Sequence, residues 1–164
     1  MHDDLLFVMA EIAAAFAGFS SLVAAISRRG DDTPEQVEFD FRTLRNVLLL
    51  SLQAILFALV PVLLERQGLS SEAAFRAAAA LFAITGAAYV AYTIRSLPAA
   101  YREIGRRTPL SFQINAGMLI VGLLSQAASA LGLLPIHTYL LALAVFIYCA
   151  GFGFVRLFVS HRPA

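Results

Sequence analysis

The sequence predicts an all-α integral membrane protein, a bundle of about five transmembrane helices with the N-terminus outside, the C-terminus cytoplasmic and the second helix extended into the cytoplasm. Three observations carry this. Hydrophobic residues make up 60% of the 164-residue chain, and its mean hydropathy of +0.77 is too apolar for a domain whose whole surface meets water. Five apolar stretches, 5–26, 44–64, 73–94, 112–133 and 138–158, each reach the length of about 20 residues that a helix needs to cross a bilayer. The arginines, which are the chain's only strongly basic residues, gather at alternate ends of those stretches.

The first stretch follows Met1-His2-Asp3-Asp4 and precedes Arg28-Arg29. A secretory signal has a basic leading segment and this one is acidic, so a retained helix over 5–26 is expected. The second begins earlier than its apolar run. Thr33-Pro34-Glu35-Gln36 places a capping threonine, a proline suited to the first helical position and a glutamine three residues after the cap. Val37, Phe41, Leu44 and Leu48 then recur at helical spacing, and Glu38 and Arg42 stand four apart. A helix over about 34–64 is expected, two to three turns of it cytoplasmic, with a local kink at Pro61. Ser70 or Ser71 caps the third helix, about 72–96, and Pro98 closes it. The segment 99–107 fits either a short interfacial helix or an irregular basic loop. Thr108-Pro109 starts the fourth helix, about 109–133, and a tight turn at Pro135 leads to the fifth, about 137–159. A single helix over both stretches would be about 70 Å long, more than twice the membrane thickness. All five helices make one transmembrane domain over 1–164.

Orientation follows from charge, because positive segments stay in the cytoplasm. Arg28, Arg29, Arg42, Arg45, Arg95, Arg102, Arg106, Arg107, Arg156 and Arg162 fall on one side of a five-span arrangement, against Arg66 and Arg76 on the other, ten to two. The expected location is the cell (inner) membrane, multi-pass. The net charge of +1 argues against nucleic-acid binding, which needs a basic face. No lysine is present, a bias of composition more than of function. Cys149 is the one cysteine, so a disulfide within the chain is excluded. His2, His137 and His161 have no helix-face metal spacing, and neither a phosphate loop nor a nucleophile elbow occurs. No enzyme, catalytic residue, metal site or cofactor is expected.

Glu11 is the most informative residue. It stands about two turns into the first apolar stretch, where a carboxylate is costly without water, a partner or a proton. Spacings of three and four join Glu11, Ala14 or Ala15, Gly18, Ser21 or Leu22, Ala25 and Arg28 or Arg29 on one face, acidic outside, small in the middle and basic inside. Two uses compete for it. Ala10, Ala14, Gly18, Ser21 and Ala25 let another helix approach closely, with Glu11 paired to Arg66 or Arg76 or reaching toward headgroups. Alternatively, several copies of the helix surround an axis. Glu11, Ala15, Gly18, Leu22, Ala25, Arg28 and Arg29 then line an ion path with an acidic ring, an apolar constriction and a basic ring.

Ala17-Gly18-Phe19 in this apolar helix resembles the pore helix of Orai-type calcium channels, which also join an outer acidic ring to a basic cytoplasmic end. The resemblance implies a pore-lining first helix. The chain departs from that family in placing Glu11 before the glycine, so it would run through the membrane in the opposite sense.

Other intramembrane polar residues are Asn46, Ser51, Gln53, Thr85, Asn115, Ser125, Gln126 and Ser129. They are expected to bond between helices, while Gln53 and Gln126, near mid-bilayer, could also line a polar path. Tyrosines near segment ends, Tyr139 among them, read as interface anchors, with Tyr148 the exception. Gly151-Phe152-Gly153-Phe154 reads as a notch for close helix packing, or as a flexible gate. Together these features predict a small homo-oligomeric ion channel or channel-like protein in the lipid bilayer, with the first helix lining the pore. The alternative is a non-conducting interaction or regulatory subunit that docks a cytoplasmic protein through the extension of its second helix.

Overall fold

The computed structural model describes residues 2–26, 34–95 and 110–160, with side chains over 3–23, 41–95 and 113–155. Among the described residues there are five helices: α1 (His2–Ile26), α2 (Pro34–Arg66), α3 (Ser71–Arg95), α4 (Leu110–Ala130) and α5 (His137–Ser160). The expected Thr33 cap, the Thr108-Pro109 start signal, Pro98 and the segment 99–107 lie outside the described residues. Among the described residues, four helices carry a span long and apolar enough to cross a membrane: Asp3–Val23, Phe41–Arg66, Ser71–Arg95 and His137–Val155. The fourth helix is not one of these, and its described part holds Gln113, Asn115, Ser125, Gln126 and Ser129. Large apolar side chains are exposed on every helix, such as Phe19, Leu56, Ile84, Val121 and Leu141. Water does not tolerate such a surface, and a hydrocarbon solvent does. The molecule has the character of a membrane protein.

The chain divides into two compact units, Met1–Val62 with Phe146–Ala164, and Leu63–Val145. In the first, Leu6, Ala10 and Ala13 on α1, Val47, Leu50, Ala54, Phe57 and Ala58 on α2, and Phe146, Cys149 and Ala150 on α5 form the core. The glycine pair of α5 acts there as a packing notch. A β-carbon on Gly151 would stand 3.0 Å from the Phe16 ring, and one on Gly153 would stand 2.7 Å from Val47. Phe154 completes the contact, its ring centroid 6.1 Å from that of Phe16. Alternating small residues thus let α5 meet α1 with one notch and α2 with the other.

In the second unit the core is a ring cluster. Tyr139 is 1% exposed, edge-on to Phe75 at 5.3 Å and to Phe82 at 6.3 Å. Both geometries favour the positive ring edge against a negative face. Tyr139 is therefore a core residue and not the expected interface anchor. Its place one turn into α5 hid this, since position along a helix does not reveal which side faces neighbours. Tyr148 is 54% exposed, on the outer surface of its helix.

The turns explain where the helices stop. After α2, Gly68 adopts φ +96, its amide donates to Glu65 at 3.0 Å and that of Leu69 to Leu64 at 3.2 Å. After α4, Gly132 adopts φ +73, and the amides of Gly132 and Leu133 donate to Ser129 at 3.0 Å and Ala128 at 2.9 Å. Both are Schellman caps, which need a left-handed residue that glycine supplies without a side-chain clash. The fourth helix thus ends at Ala130, earlier than expected, because Gly132 and not Pro135 reverses the chain. Ser70 settles the cap of α3. Its hydroxyl accepts from the Ala73 amide at 3.4 Å, and α3 begins at Ser71.

Replacing Tyr139 with alanine should remove the second unit's ring cluster and lower unfolding stability by about 3 kcal/mol, whereas Tyr139→Phe should lose about 1 kcal/mol at most. Unfolding in lipid with a denaturing detergent measures both. Equal losses for the two variants would show that the hydroxyl, not the ring, holds the cluster.

Candidate functional site

On α1 the buried residues are Leu6, Ala10, Ala13 and Ser20, a stripe at spacings of four, three and seven. At 3.6 residues per turn, Glu11, Ala15, Gly18 and Leu22 project from nearly the opposite side. All four are exposed, Leu22 by 55%, and a β-carbon on Gly18 would meet nothing within 4 Å. Ala14 and Ser21 flank the same face and are exposed too. The small-residue face read from sequence therefore divides. Ala10 packs into the core, while Gly18 and its neighbours Ala15 and Leu22 are exposed among the described residues. The Ala25 side chain, Arg28 and Arg29 lie outside the described residues.

Three hydroxyls on these helices serve their own backbone, whereas Ser20 Oγ and Ser51 Oγ are buried without a partner. Ser21 Oγ donates to the Ala17 carbonyl at 3.0 Å, Thr85 Oγ1 to Leu81 at 2.9 Å and Ser125 Oγ to Gly122 at 2.7 Å. This corrects the expected interhelical bonding for Thr85 and Ser125. A hydroxyl can return to a carbonyl three or four residues back, and in apolar surroundings that partner is always at hand. The acidic residue nearest Arg76 is likewise on its own helix: Glu72 accepts from it at 2.5 Å. The Arg76 guanidinium also lies against Gly132, where a β-carbon would stand 2.8 Å from it. It thus sits by the carbonyl end of α4, where a cation is favoured.

Interhelical polar bonding concentrates in the α4–α5 hairpin. Gln126 is fully buried, and its Nε2 donates to the Tyr139 carbonyl at 3.2 Å. Thr138 Oγ1 donates to the Pro135 carbonyl at 2.6 Å. A hydroxyl carries one proton, so in the 2.6 Å contact between Ser129 Oγ and Thr138 Oγ1 Ser129 is the donor. The chain Ser129 to Thr138 to Pro135 clasps the end of one helix to the start of the next. Sequence reading singled out Gln126 and Ser129 but missed Thr138, which it placed only at the edge of an apolar stretch.

Gln53 is half-buried on α2. Its Oε1 and that of Gln126 are buried without a hydrogen-bond partner. No family model, curated protein or solved structure matches the chain. Among the described residues no group of three His, Cys, Asp or Glu side chains stands together. The distinctive arrangement is accordingly the outward face of α1, a carboxylate one turn from an alanine and two from a glycine, on a helix that spends its other side on the core.

Gln126 gives a direct test of hairpin bonding against a polar path. Gln126→Met removes one interhelical bond, worth about 0.6 kcal/mol on average in membranes, and also a buried acceptor that has no partner. Stability should therefore change by less than about 1 kcal/mol. A loss well above that, read in the same unfolding experiment, would mean that the amide oxygen holds something essential.

Proposed function

We propose that the chain is a small homo-oligomeric ion channel or channel-like protein of the cell (inner) membrane, crossing it five times, with α1 lining the pore. The observation that carries the reading is the exposed Glu11 on a face whose other members are Ala15, Gly18 and Leu22. A carboxylate facing lipid is disfavoured by about 3 kcal/mol or more. The same face turned toward an axis between copies meets water instead. Ring symmetry then sets the Glu11 side chains around an outer mouth, where they concentrate cations. Gly18 and Leu22 form the narrow apolar middle, a barrier that opens by wetting. Arg28 and Arg29 follow in the sequence as the basic inner end. The ten-to-two arginine bias supports an outer position for Glu11. Closed cyclic symmetry is the usual way to build such an axis from identical chains.

One observation favours a second reading, a silent subunit that binds a cytoplasmic protein. The second helix has 33 residues, about 50 Å of helix against about 30 Å of hydrocarbon. Phe41, in its first third, is 61% exposed. The excess length offers an apolar stripe to a partner.

Purified protein in planar bilayers separates the two. The channel reading expects cation-selective currents that Glu11→Gln makes severalfold less selective without loss of assembly. Silent bilayers across voltage and pH, from protein that is folded and inserted, would remove the first reading and leave the second.

A further inference from the structure

We propose that Glu11 is a proton-binding site within the bilayer, its carboxyl group holding a hydrogen ion in the resting protein instead of a bare charge. The proposal rests on the five crossings proposed above and not on conduction.

Contacts inside the first unit give the depth. Gly151 faces the Phe16 ring, and the Phe154 ring lies 6.1 Å from it. With α1 and α5 crossing in the same sense, Phe16 is level with residues 151–154 of α5, and Glu11, five residues earlier, with about 146–149. Gly153 faces Val47, and α2 runs the other way, so the same level falls at about 51–54 of α2. These are the middle parts of the spans His137–Val155 and Phe41–Arg66. On α2 the nearest flanking charges, Arg45 and Glu65, stand about 11 and 19 Å along the helix from that level. The mouth that Glu11 would ring is thus the entrance to the constriction, well inside the bilayer.

Surroundings then decide the form of the group. A carboxylate at that depth needs water, a counter-ion or a proton. Glu11 is exposed on the side of α1 away from the buried Leu6, Ala10, Ala13 and Ser20. Phe7, Val8 and Ile12 stand on the exposed surface within a turn of it, at 41%, 48% and 44%. Among the described residues no hydrogen bond or ion pair joins Glu11 to another side chain. Asp4 is seven residues earlier on the same helix, about 10 Å away. Level with Glu11 on α5 are the exposed Tyr148 and the buried Cys149, and neither is a cation. A counter-ion is therefore missing, and apolar side chains and hydrocarbon keep water out. The proton is the one remedy that needs nothing from a neighbour, because it removes the charge at its source. It comes from bulk water and returns there. In a conducting ring it belongs to the dry pore and leaves when the apolar middle wets, which frees the charge that attracts cations.

Infrared spectra of the full chain, in vesicles of phosphatidylethanolamine and phosphatidylglycerol at neutral pH, read this directly. The difference between wild type and Glu11→Gln should contain the carbonyl stretch of a protonated carboxylic acid and no carboxylate stretches. Glu11→Ala should give the same band without an amide carbonyl of its own, and circular dichroism checks that both variants fold. Carboxylate stretches in place of the acid band overturn the proposal, since Glu11 then meets water or a cation, such as one from a second copy. The channel reading fails separately. Silent bilayers with the acid band present leave the proton site standing, while currents from a protein whose Glu11 is ionised do the reverse.

Discussion

Polar groups at membrane depth have no water to turn to, and that constraint shapes each part of this chain. It explains why Thr85, Ser21 and Ser125 bond their own helices, and why Gln126 reaches across to a carbonyl of the next helix. It also explains why both described turns close with a glycine cap that recovers the last helical carbonyls. Glu11 is the conspicuous residue left on an outward face, and that is why the functional reading gathers there.

The two units solve packing differently. The first relies on small residues: Gly151 and Gly153 admit Phe16 and Val47 as close neighbours, so contact comes from backbone approach. The second relies on rings, with Tyr139 between Phe75 and Phe82, and adds the hydroxyl clasp at the hairpin. Lipid is as apolar as leucine, so neither unit gains from hiding apolar surface as such. Shape and hydrogen bonds hold the helices, and the large side chains are free to face outward.

Much of the architecture was legible in the residues. Pro34, expected at the first helical position, is where α2 begins, and Ser70 caps α3 as one of two expected serines. The end of α4 was less clear because apolar residues run on to Leu133. The stop lies in the left-handed Gly132, which apolarity does not report. Facing was the larger blind spot. In a helix that is apolar nearly all round, periodicity groups Ala10 with Gly18 as small residues but cannot say which side meets a neighbour. The structure separates them, with Ala10 buried and Gly18 exposed. Tyr139 was misread for the same reason.

The central claim is that this outward face of α1 meets the same face of another copy. Cysteines placed singly at Ala15, Gly18, Ile12 and Phe19, in a Cys149→Ser background, can be oxidised in native membranes and the products sized on a gel. The account predicts a covalent dimer from Ala15→Cys and Gly18→Cys and little from Ile12→Cys and Phe19→Cys, which stand to one side of that face. Monomer at all four positions, or equal dimer at all four, would contradict it.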